Sequence, residues 1–402
     1  MNNNNRNNNN YAVAVSEFRP MYVISIESLY DAYFDTNRTT KDMMPYSLRI
    51  DEELYDLWRE IREGTYKVST TKAFMVLSPK KREIFAMHPR DKVVSHWIRL
   101  RLEPLFEGEY VSGTYSCRKG KGGSAFAEDA INAIKEIETE CGKCFCAKLD
   151  LRNFFMSIDR RMATDKTLAL VEEKYCGEDK ETLKWLIETH FMFAPEKDFY
   201  ICGNPADWDD YPKEKSLRTN ADGCGLVMGN VNSQQVANYI LTNMDRYIGS
   251  LGIVELRYVD DILLLDGDKQ HLLSCIQAIE DFLKRDVGLE FHKPKRYFQD
   301  ADKGIKIIGY VIRGDRLYIE NRCVGNLMKR IHAYNRFMRE KPKKAKRQVD
   351  KFVACINSYF GRLKQGRSYN IRRKAWGLID DAWKRYFYGC NHLYKVKLRK
   401  NK

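Results

Sequence analysis

Two adjacent aspartates, Asp260 and Asp261, lie between two runs of apolar residues in the stretch ELRYVDDILLLDGD, residues 255–268. The apolar runs favour two β-strands joined by a tight turn, which places both carboxylates at the tip of a hairpin. At a separation of about 4 Å, two like charges repel by roughly 1 to 4 kcal/mol, depending on whether water or a protein surface surrounds them. Either solvent screens the pair, or a cation binds there.

A third aspartate, Asp150, ends the apolar segment CFCAKLD, residues 144–150, which predicts a buried strand. If this strand neighbours the hairpin in one sheet, three carboxylates converge at one edge. Oxygen ligands with no nearby His or Cys favour Mg²⁺ over zinc. Two such ions about 3.5 to 4 Å apart activate an attacking oxygen and stabilise a leaving oxygen during phosphoryl displacement. For Tyr-Val-Asp-Asp taken alone, a solvated surface hairpin is the alternative.

The segments around these aspartates predict an α+β fold, because strands and helices mix without a strict βαβ rhythm. Apolar spacing of three and four predicts helices within 24–64, from about Asp91, at 124–139 and at 233–248. Strands are predicted on both sides of the basic turn PKKRE, at the two aspartate segments and near 305–319. Residues 198–225 are polar and predict an irregular insertion.

Positive charge is concentrated at the C-terminal end of the chain. The 402 residues carry a net charge of +14, and residues 326–402 alone hold 23 Lys or Arg and 4 Asp or Glu. These basic residues interleave with Trp376, Trp383 and an apolar series at helical spacing, so the pattern predicts packed helices with a basic face. Such a face fits a nucleic-acid backbone, and plain solubility is the alternative.

The remaining composition narrows the class of protein. The lead MNNNNRNNNN is of low complexity, and residues 1–20 are predicted to be disordered. No run of eighteen apolar residues is present, so no membrane span is predicted. An odd number of cysteines, eleven, favours reduced thiols in a cytoplasmic protein. The group CGKCFC has no second close Cys or His pair, so a zinc site is not predicted.

The aspartate segments resemble a known family in a series of ordered motifs. YVDD and KLDLRNFF resemble motifs C and A of the reverse transcriptase palm. PKKREIFAMHPRDKVVSHWI resembles the first fingers motif, YSCRKGKGGSAFAEDA the second, GLVMGNVNSQQVAN motif B, GLEFHKPK motif D and GIKIIGYVI motif E. The resemblance covers about residues 25–370. It implies a right-hand RNA-directed DNA polymerase with fingers at 21–140, a palm at 141–320 that includes an insertion at about 165–225, and a basic helical thumb at 321–402.

The resemblance also implies roles for individual residues. Asp150 and Asp260 would bind both Mg²⁺ ions, Asp261 would support one, and the Leu151 carbonyl would add a ligand. A primer 3′-hydroxyl would attack the α-phosphate of a deoxynucleotide. The residues implied to contact that nucleotide are Lys80, Arg82, Arg118, Lys119, Phe155, Met228, Gly229 and Lys295.

These nucleotide-contacting roles have alternatives. Phe155 would be the steric gate against a ribose 2′-hydroxyl, or an ordinary core residue. The fingers cations would clamp the triphosphate, or form a solvated basic turn. Lys295 would be the general acid for the pyrophosphate leaving group, with Lys293 as a rival.

Within the family, three segments are most similar to the enzymes of bacterial and phage diversity-generating retroelements. These are SCRKGKG, DWDDYPKEKSLRTNADGCGLVMGN and NSYFGRLKQGRSYNIRRK. The similarity implies error-prone copying of a template-repeat RNA, with a primer, deoxynucleotides and a small basic accessory protein as partners.

Motif B departs from the retroelement pattern. Val227 and Met228 replace a Pro-Ile pair, and Asn232 stands where Thr is usual. Anti-phage defence, with a dedicated RNA or untemplated synthesis, is therefore an alternative role. A non-catalytic RNA-binding protein of the same fold is a third hypothesis, although clustered carboxylates beside RNA phosphates argue against it.

Overall fold

Helices and antiparallel sheets mix along the chain in a computed structural model that describes residues 21–78 and 80–399. The predicted α+β class is confirmed, whereas the predicted disordered lead at 1–20 lies outside the described residues. The helices are α1 (Ile26–Asp35), α2 (Met43–Ser47), α3 (Ile50–Arg62), α4 (Pro89–Glu109), α5 (Gly123–Cys141), α6 (Phe154–Ser157), α7 (Arg160–Lys174), α8 (Lys180–Phe191), α9 (Val231–Tyr239), α10 (Thr242–Ser250), α11 (Lys269–Val287), α12 (Asn321–Glu340), α13 (Pro342–Lys346), α14 (Val349–Leu363), α15 (Tyr369–Gly377) and α16 (Asp381–Lys384). The strands are β1 (Thr71–Val76), β2 (Arg82–Ala86), β3 (Phe145–Asp150), β4 (Phe199–Ile201), β5 (Val254–Tyr258), β6 (Asp261–Asp266), β7 (Tyr297–Asp300), β8 (Ile305–Ile307), β9 (Tyr310–Arg313), β10 (Arg316–Ile319), β11 (Phe387–Cys390) and β12 (Lys395–Leu398).

A four-stranded antiparallel sheet in the order β5-β6-β3-β7 carries the aspartates. Residues Ile262–Leu265 of β6 are all fully buried because the sheet is covered on both faces. Ile262 and Leu264 join a core that includes α4, α10 and α11, whereas Leu263 and Leu265 join a second core that includes α5 and α12. A strand covered on both faces loses polar alternation, which explains the unbroken apolar run.

A smaller sheet combines two strands that precede β3 in the chain with one strand that follows it. Strands β1 and β2 form an antiparallel hairpin, and β4 from the polar insertion adds in parallel to β1. The insertion is anchored by the buried carboxylate of Glu83 on β2. This carboxylate accepts hydrogen bonds from the Trp208 indole at 2.8 Å, from the Ser216 hydroxyl at 2.8 Å and from the backbone N–H of Leu217 at 2.8 Å.

One predicted helix is divided in the structure. The apolar spacing predicted a single helix at 233–248, but the helix ends at Tyr239 and α10 begins at Thr242. The break lets α9 pack against α4 while α10 packs against α11 and β5. The periodicity of the sequence does not show the break, because both halves keep one buried face.

The C-terminal region begins with the three-stranded sheet β10-β9-β8 and continues into the basic helices α12–α16. The helices were predicted, but the closing hairpin β11–β12 was not. Asn357 on α14 secures this hairpin, because its amide nitrogen donates to the Val396 carbonyl at 2.9 Å and its amide oxygen accepts from the Val396 N–H at 2.7 Å. Between Met21 and Arg399, Pro79 apart, no helix has the length and apolar content needed to cross a lipid bilayer.

Candidate active site

Strand register brings the three aspartates to one edge of the central sheet. Asp150 is the last residue of β3 and pairs directly with Asp261, the first residue of β6. Asp260 lies in the two-residue loop between β5 and β6, whose last pair is Tyr258 with Asp261. The condition stated from the sequence, that the two aspartate segments be neighbouring strands, is therefore met.

The loop that carries Asp260 has a strained backbone. Val259, the first loop residue, has a φ of +59°. Turns that contain a positive φ are favoured in two-residue hairpin loops, because the twist of these turns matches that of the flanking strands. Gly or Asn, however, normally occupies the position with the positive φ. For a β-branched residue this conformation costs roughly 1 to 3 kcal/mol and persists only where surrounding contacts hold it. The two-residue turn of Val259 and Asp260 is thus a point of local strain.

Two lysines contact the aspartates. Lys295 Nζ lies 2.9 Å from Oδ1 and 3.1 Å from Oδ2 of Asp150, and Lys148 Nζ lies 2.9 Å from Oδ1 of Asp261. Lys295 was a predicted site residue, whereas Lys148 was missed. Its place two residues before Asp150 on β3 puts both side chains on the same face of the strand, which is the pattern that could have identified it.

The carboxyl group of Asp260 has a perturbed pKa. Its pKa is raised to about 6, first by burial and then by the neighbouring charges of Asp261 and Asp150, while Lys295 opposes them. A carboxyl group that is buried among other carboxylates favours the protonated form until a cation compensates its charge. The electrostatics of this edge therefore favour a bound cation.

The donor set fits a hard divalent metal. No three His, Cys, Asp or Glu side chains are drawn together as a ready-formed metal site anywhere in 21–78 or 80–399, and Asp150 and Asp261 instead contact lysines. Carboxylate oxygens are nevertheless the ligands that Mg²⁺ prefers. Leu151 pairs with Phe291 in an isolated antiparallel bridge, whose two hydrogen bonds use the Asp150 carbonyl and the Arg152 N–H. The Leu151 carbonyl takes part in neither of these bonds.

The predicted nucleotide-side residues of motifs A and B pack together beside the β1–β2 hairpin. Phe155 and Met228 are half-buried against a small core of Ala73, Phe85, Met156, Leu217 and Val227. The Phe155 carbonyl accepts a hydrogen bond from the Leu226 N–H at 2.8 Å, which ties motif A to motif B. Gly229 has a φ of +100°, a conformation that favours glycine.

The four predicted fingers cations differ in their surroundings. Lys80 and Arg82 are exposed on the β1–β2 hairpin, and the Lys119 side chain is 95% exposed. The Arg118 side chain is only 10% exposed. Its guanidinium donates to the Glu107 carboxylate, to the Val111 carbonyl at 2.7 Å and to the Thr114 carbonyl at 2.9 Å. These internal bonds favour a structural role for Arg118.

Comparisons with known proteins give a family match. The model of the family described as reverse transcriptase (RNA-dependent DNA polymerase) matches residues 72–312, more than half of the chain. A search of curated proteins gave no match.

Three solved structures are similar at low identity. Apo telomerase from Candida tropicalis, truncated from its C-terminal domain, is 10% identical with a TM-score of 0.45, over 62% of this chain and 55% of that one. Telomerase from Candida albicans with a TWJ fragment of telomeric RNA is 11% identical with a TM-score of 0.46, over 84% and 66%. Apo telomerase from Candida tropicalis is 10% identical with a TM-score of 0.46, over 81% and 62%. This chain thus spans less than two thirds of the length of each of these chains.

Proposed function

The chain belongs to the reverse transcriptase (RNA-dependent DNA polymerase) family, and we propose that it copies an RNA template into cDNA for a diversity-generating retroelement, with error-prone synthesis. The single observation that carries the polymerase chemistry is the sheet edge, where Asp150 pairs directly with Asp261 and Asp260 occupies the adjoining loop. The match of residues 72–312 to the family model places this edge in a polymerase context.

In this proposal Asp150, Asp260 and Asp261 hold two Mg²⁺ ions, and the Leu151 carbonyl adds a ligand. When bound, the ions supply the positive charge that lowers the barrier to nucleotidyl transfer. Lys295 has a side chain that is 58% exposed, so it can leave Asp150 and serve as a proton donor near the leaving pyrophosphate. Lys148 is 20% exposed and remains beside Asp261, where it limits the negative charge of the edge.

The residues of motifs A and B position the nucleotide in this proposal. The half-buried ring of Phe155 excludes a ribose 2′-hydroxyl, and Gly229 lets the backbone approach the nascent base pair closely. Met228 cannot make the hydrogen bonds of the glutamine that retroviral enzymes have at this position, so it constrains the base pair less. Met228→Gln is expected to lower the error rate of primer extension, and an error rate equal to that of wild type would remove this explanation of infidelity.

The retroelement role is supported by the three segments that resemble those enzymes, and it brings a template-repeat RNA and a small basic accessory protein as partners. The substitutions at Val227, Met228 and Asn232 support the alternative of anti-phage defence. A non-catalytic RNA-binding role is disfavoured because phosphates would approach three carboxylates without compensation.

The test is to sequence the DNA made by the purified protein with its co-purifying RNA, accessory protein, Mg²⁺ and all four deoxynucleotides. Copies of one defined RNA with errors concentrated opposite adenine would support the retroelement role. Accurate copies, or repetitive DNA that matches no long template, would favour defence.

Asp260→Asn is expected to lower synthesis by about 10³-fold or more, because it removes a charged ligand.

The matched control for Asp260→Asn is Asp268→Asn. Asp268 is the N-cap of α11, and its carboxylate accepts from the backbone N–H groups of Gln270 and His271. Asparagine is an equally good N-cap, so this variant is expected to retain synthesis. If wild type makes no DNA with the accessory protein supplied, the proposed polymerase activity is wrong.

A further inference from the structure

Val259, the strained residue of the turn between β5 and β6, is held through both of its backbone polar groups. The Val259 N–H donates to the Ser116 hydroxyl at 3.2 Å. The Val259 carbonyl accepts from Nη1 of Arg257 at 3.3 Å. These two contacts lie on either side of the residue whose positive φ aims the following residue, Asp260. The turn is therefore held by groups from outside the two-residue loop.

The two holding side chains are themselves fixed by one buried asparagine. The amide oxygen of Asn238 on α9 accepts from the Ser116 hydroxyl at 3.0 Å and from Nη1 of Arg257 at 2.8 Å. Its amide nitrogen donates to the Ser116 carbonyl at 3.1 Å. Asn238 is 1% exposed and Ser116 is 3% exposed, so water does not compete for these bonds. Together, these three residues form a turn bracket, defined as Ser116, Asn238 and Arg257.

A buried ion pair orients Arg257 within the turn bracket. Arg257 has no exposed surface, and its guanidinium binds Asp245 on α10 in a bidentate manner, with Nε 2.7 Å from Oδ1 and Nη2 2.5 Å from Oδ2. The Thr114 hydroxyl donates to the same carboxylate at 2.9 Å but makes no hydrogen bond to the turn. A planar guanidinium fixed on one edge presents its remaining N–H groups in set directions. Those groups reach Asn238 and the Val259 carbonyl.

Backbone pairing brings Ser116 to the turn. The Arg257 N–H donates to the Gly113 carbonyl at 2.8 Å, and the Tyr115 N–H donates to the Arg257 carbonyl at 3.0 Å. The segment 113–116 therefore runs along the free edge of β5. A Cβ on Gly113 would lie 2.4 Å from the Glu255 carbonyl oxygen, so this approach requires glycine.

We propose that Ser116 and Arg257, fixed by Asn238, are positioning residues that keep Val259 in its left-handed conformation and so aim Asp260 for the nucleotidyl-transfer step. The inference rests on the proposed polymerase function for its catalytic consequence. Its structural content, that the bracket holds the turn, stands on the contacts alone. Ser116 lies two residues before Arg118, for which the motif resemblance implies a contact with the nucleotide, and Ser116 itself supports the metal-binding turn.

The experiment compares Ser116→Ala with Thr114→Val in the full chain. Both remove one buried hydroxyl from the same network, but only Ser116 contacts the turn. Ser116→Ala is expected to lower kcat about tenfold and to raise the Mg²⁺ concentration needed for half-maximal rate, with the KM for deoxynucleotide within about twofold of wild type. Thr114→Val is expected to leave all three quantities within about twofold. Equal defects in the two variants would overturn the proposal.

A second comparison uses Val259→Gly, because glycine adopts a positive φ without strain. In the Val259→Gly background, the decrease in kcat caused by Ser116→Ala is expected to shrink from about tenfold to about twofold, because a glycine at position 259 adopts the turn conformation without support. An undiminished loss would contradict the bracket. A general packing defect would not respond to the residue at position 259.

Hydrogen exchange separates this inference from the proposed function. Without nucleotide or metal, amides in residues 258–261 are expected to exchange at least about tenfold faster in Ser116→Ala than in Thr114→Val. Equal exchange overturns the bracket, whether or not the protein synthesises DNA. Faster exchange together with an inactive wild type retains the bracket and rejects the polymerase proposal.

Discussion

At the scale of single residues, the carboxyl group of Asp260 combines burial with two acidic neighbours. Its pKa is raised to about 6, first by burial and then by Asp261. In the proposed metal site, Mg²⁺ would have to displace the proton from this group, so proton binding and metal binding would compete. The competition is expected only below the raised pKa, because above it the carboxylate is already ionised.

The first prediction is a pH dependence of Mg²⁺ affinity. The apparent dissociation constant for Mg²⁺ is expected to be nearly constant from pH 8 to about 6.5 and then to rise, by at most about tenfold per pH unit below 6. Calorimetric titration of the protein with MgCl₂ between pH 5 and 8 measures it. Affinity that stays constant down to pH 5 would show that Asp260 is not a metal ligand with a raised pKa.

The second prediction concerns the half-buried ring of Phe155. Phe155→Ala is expected to raise the incorporation of ribonucleotides relative to deoxynucleotides by about tenfold or more, because the ring no longer excludes the 2′-hydroxyl. Phe154→Leu is the matched control, since Phe154 is 3% exposed and belongs to the main core. Competition assays with paired nucleotides measure the ratio. An unchanged ratio would assign Phe155 to the core alone.

At the scale of secondary-structure elements, the close approach of segment 113–116 to β5 depends on one glycine. Gly113→Ala would place a Cβ 2.4 Å from the Glu255 carbonyl oxygen, so backbone must shift. The variant is expected to lose about 1 to 3 kcal/mol of stability, as overpacking usually costs. Urea unfolding followed by tryptophan fluorescence measures the loss.

The control for this element is Gly108→Ala. Gly108 lies exposed near the end of α4, and a Cβ there would meet nothing within 4 Å. Alanine favours the helix over glycine by up to about 1 kcal/mol, so this variant is expected to be neutral or stabilising. Equal losses from both substitutions would indicate that the approach to β5 is not tight.

At the scale of the whole molecule, a buried histidine on α8 joins α4 and the segment that follows α3 in the core. His190 on α8 lies 2.9 Å from the Tyr66 hydroxyl, which donates to the Asp91 carboxylate at 2.7 Å. Burial lowers the pKa of His190 to about 3, below its ordinary value of 6.5. Below pH 6.5, His190 therefore binds a proton in the unfolded chain but stays neutral in the folded chain. The free energy of unfolding decreases as pH falls, by up to about 1.4 kcal/mol per pH unit.

The corresponding prediction compares wild type with His190→Gln. At pH 7.5 the variant is expected to be less stable by about 1 to 3 kcal/mol, because it disturbs a buried hydrogen bond. The difference in the free energy of unfolding is expected to narrow towards pH 5, because only the wild type loses stability through protonation of His190 in the unfolded chain. Burial raises the pKa of Asp91, which opposes acid unfolding, but Asp91 is present in both proteins. Melting temperatures at several pH values measure the difference, and parallel curves would contradict the assignment.

The sequence by itself determined the local elements and the identity of the acidic residues. The apolar run Ile262–Leu265, the segment ending at Asp150 and the helical spacing of α5 each depend on short-range patterns, and the structure shows each as predicted. The register of β3 against β6 did not follow from these patterns, because β6 is buried on both faces and shows no polar alternation. The family followed from the order of motifs.

Tertiary structure alone decided which side chains meet. Ser116 and Val259 are 143 positions apart, and Lys295 and Asp150 are 145 apart, so no periodicity links them. Local patterns also did not show that Glu107 engages Arg118, that the predicted helix at 233–248 divides into α9 and α10, or that a hairpin closes the C-terminal region. Local patterns record which face of an element is buried. The partner on that face depends on how distant elements pack, and this packing sets the strain and charge of the sheet edge that carries the three aspartates.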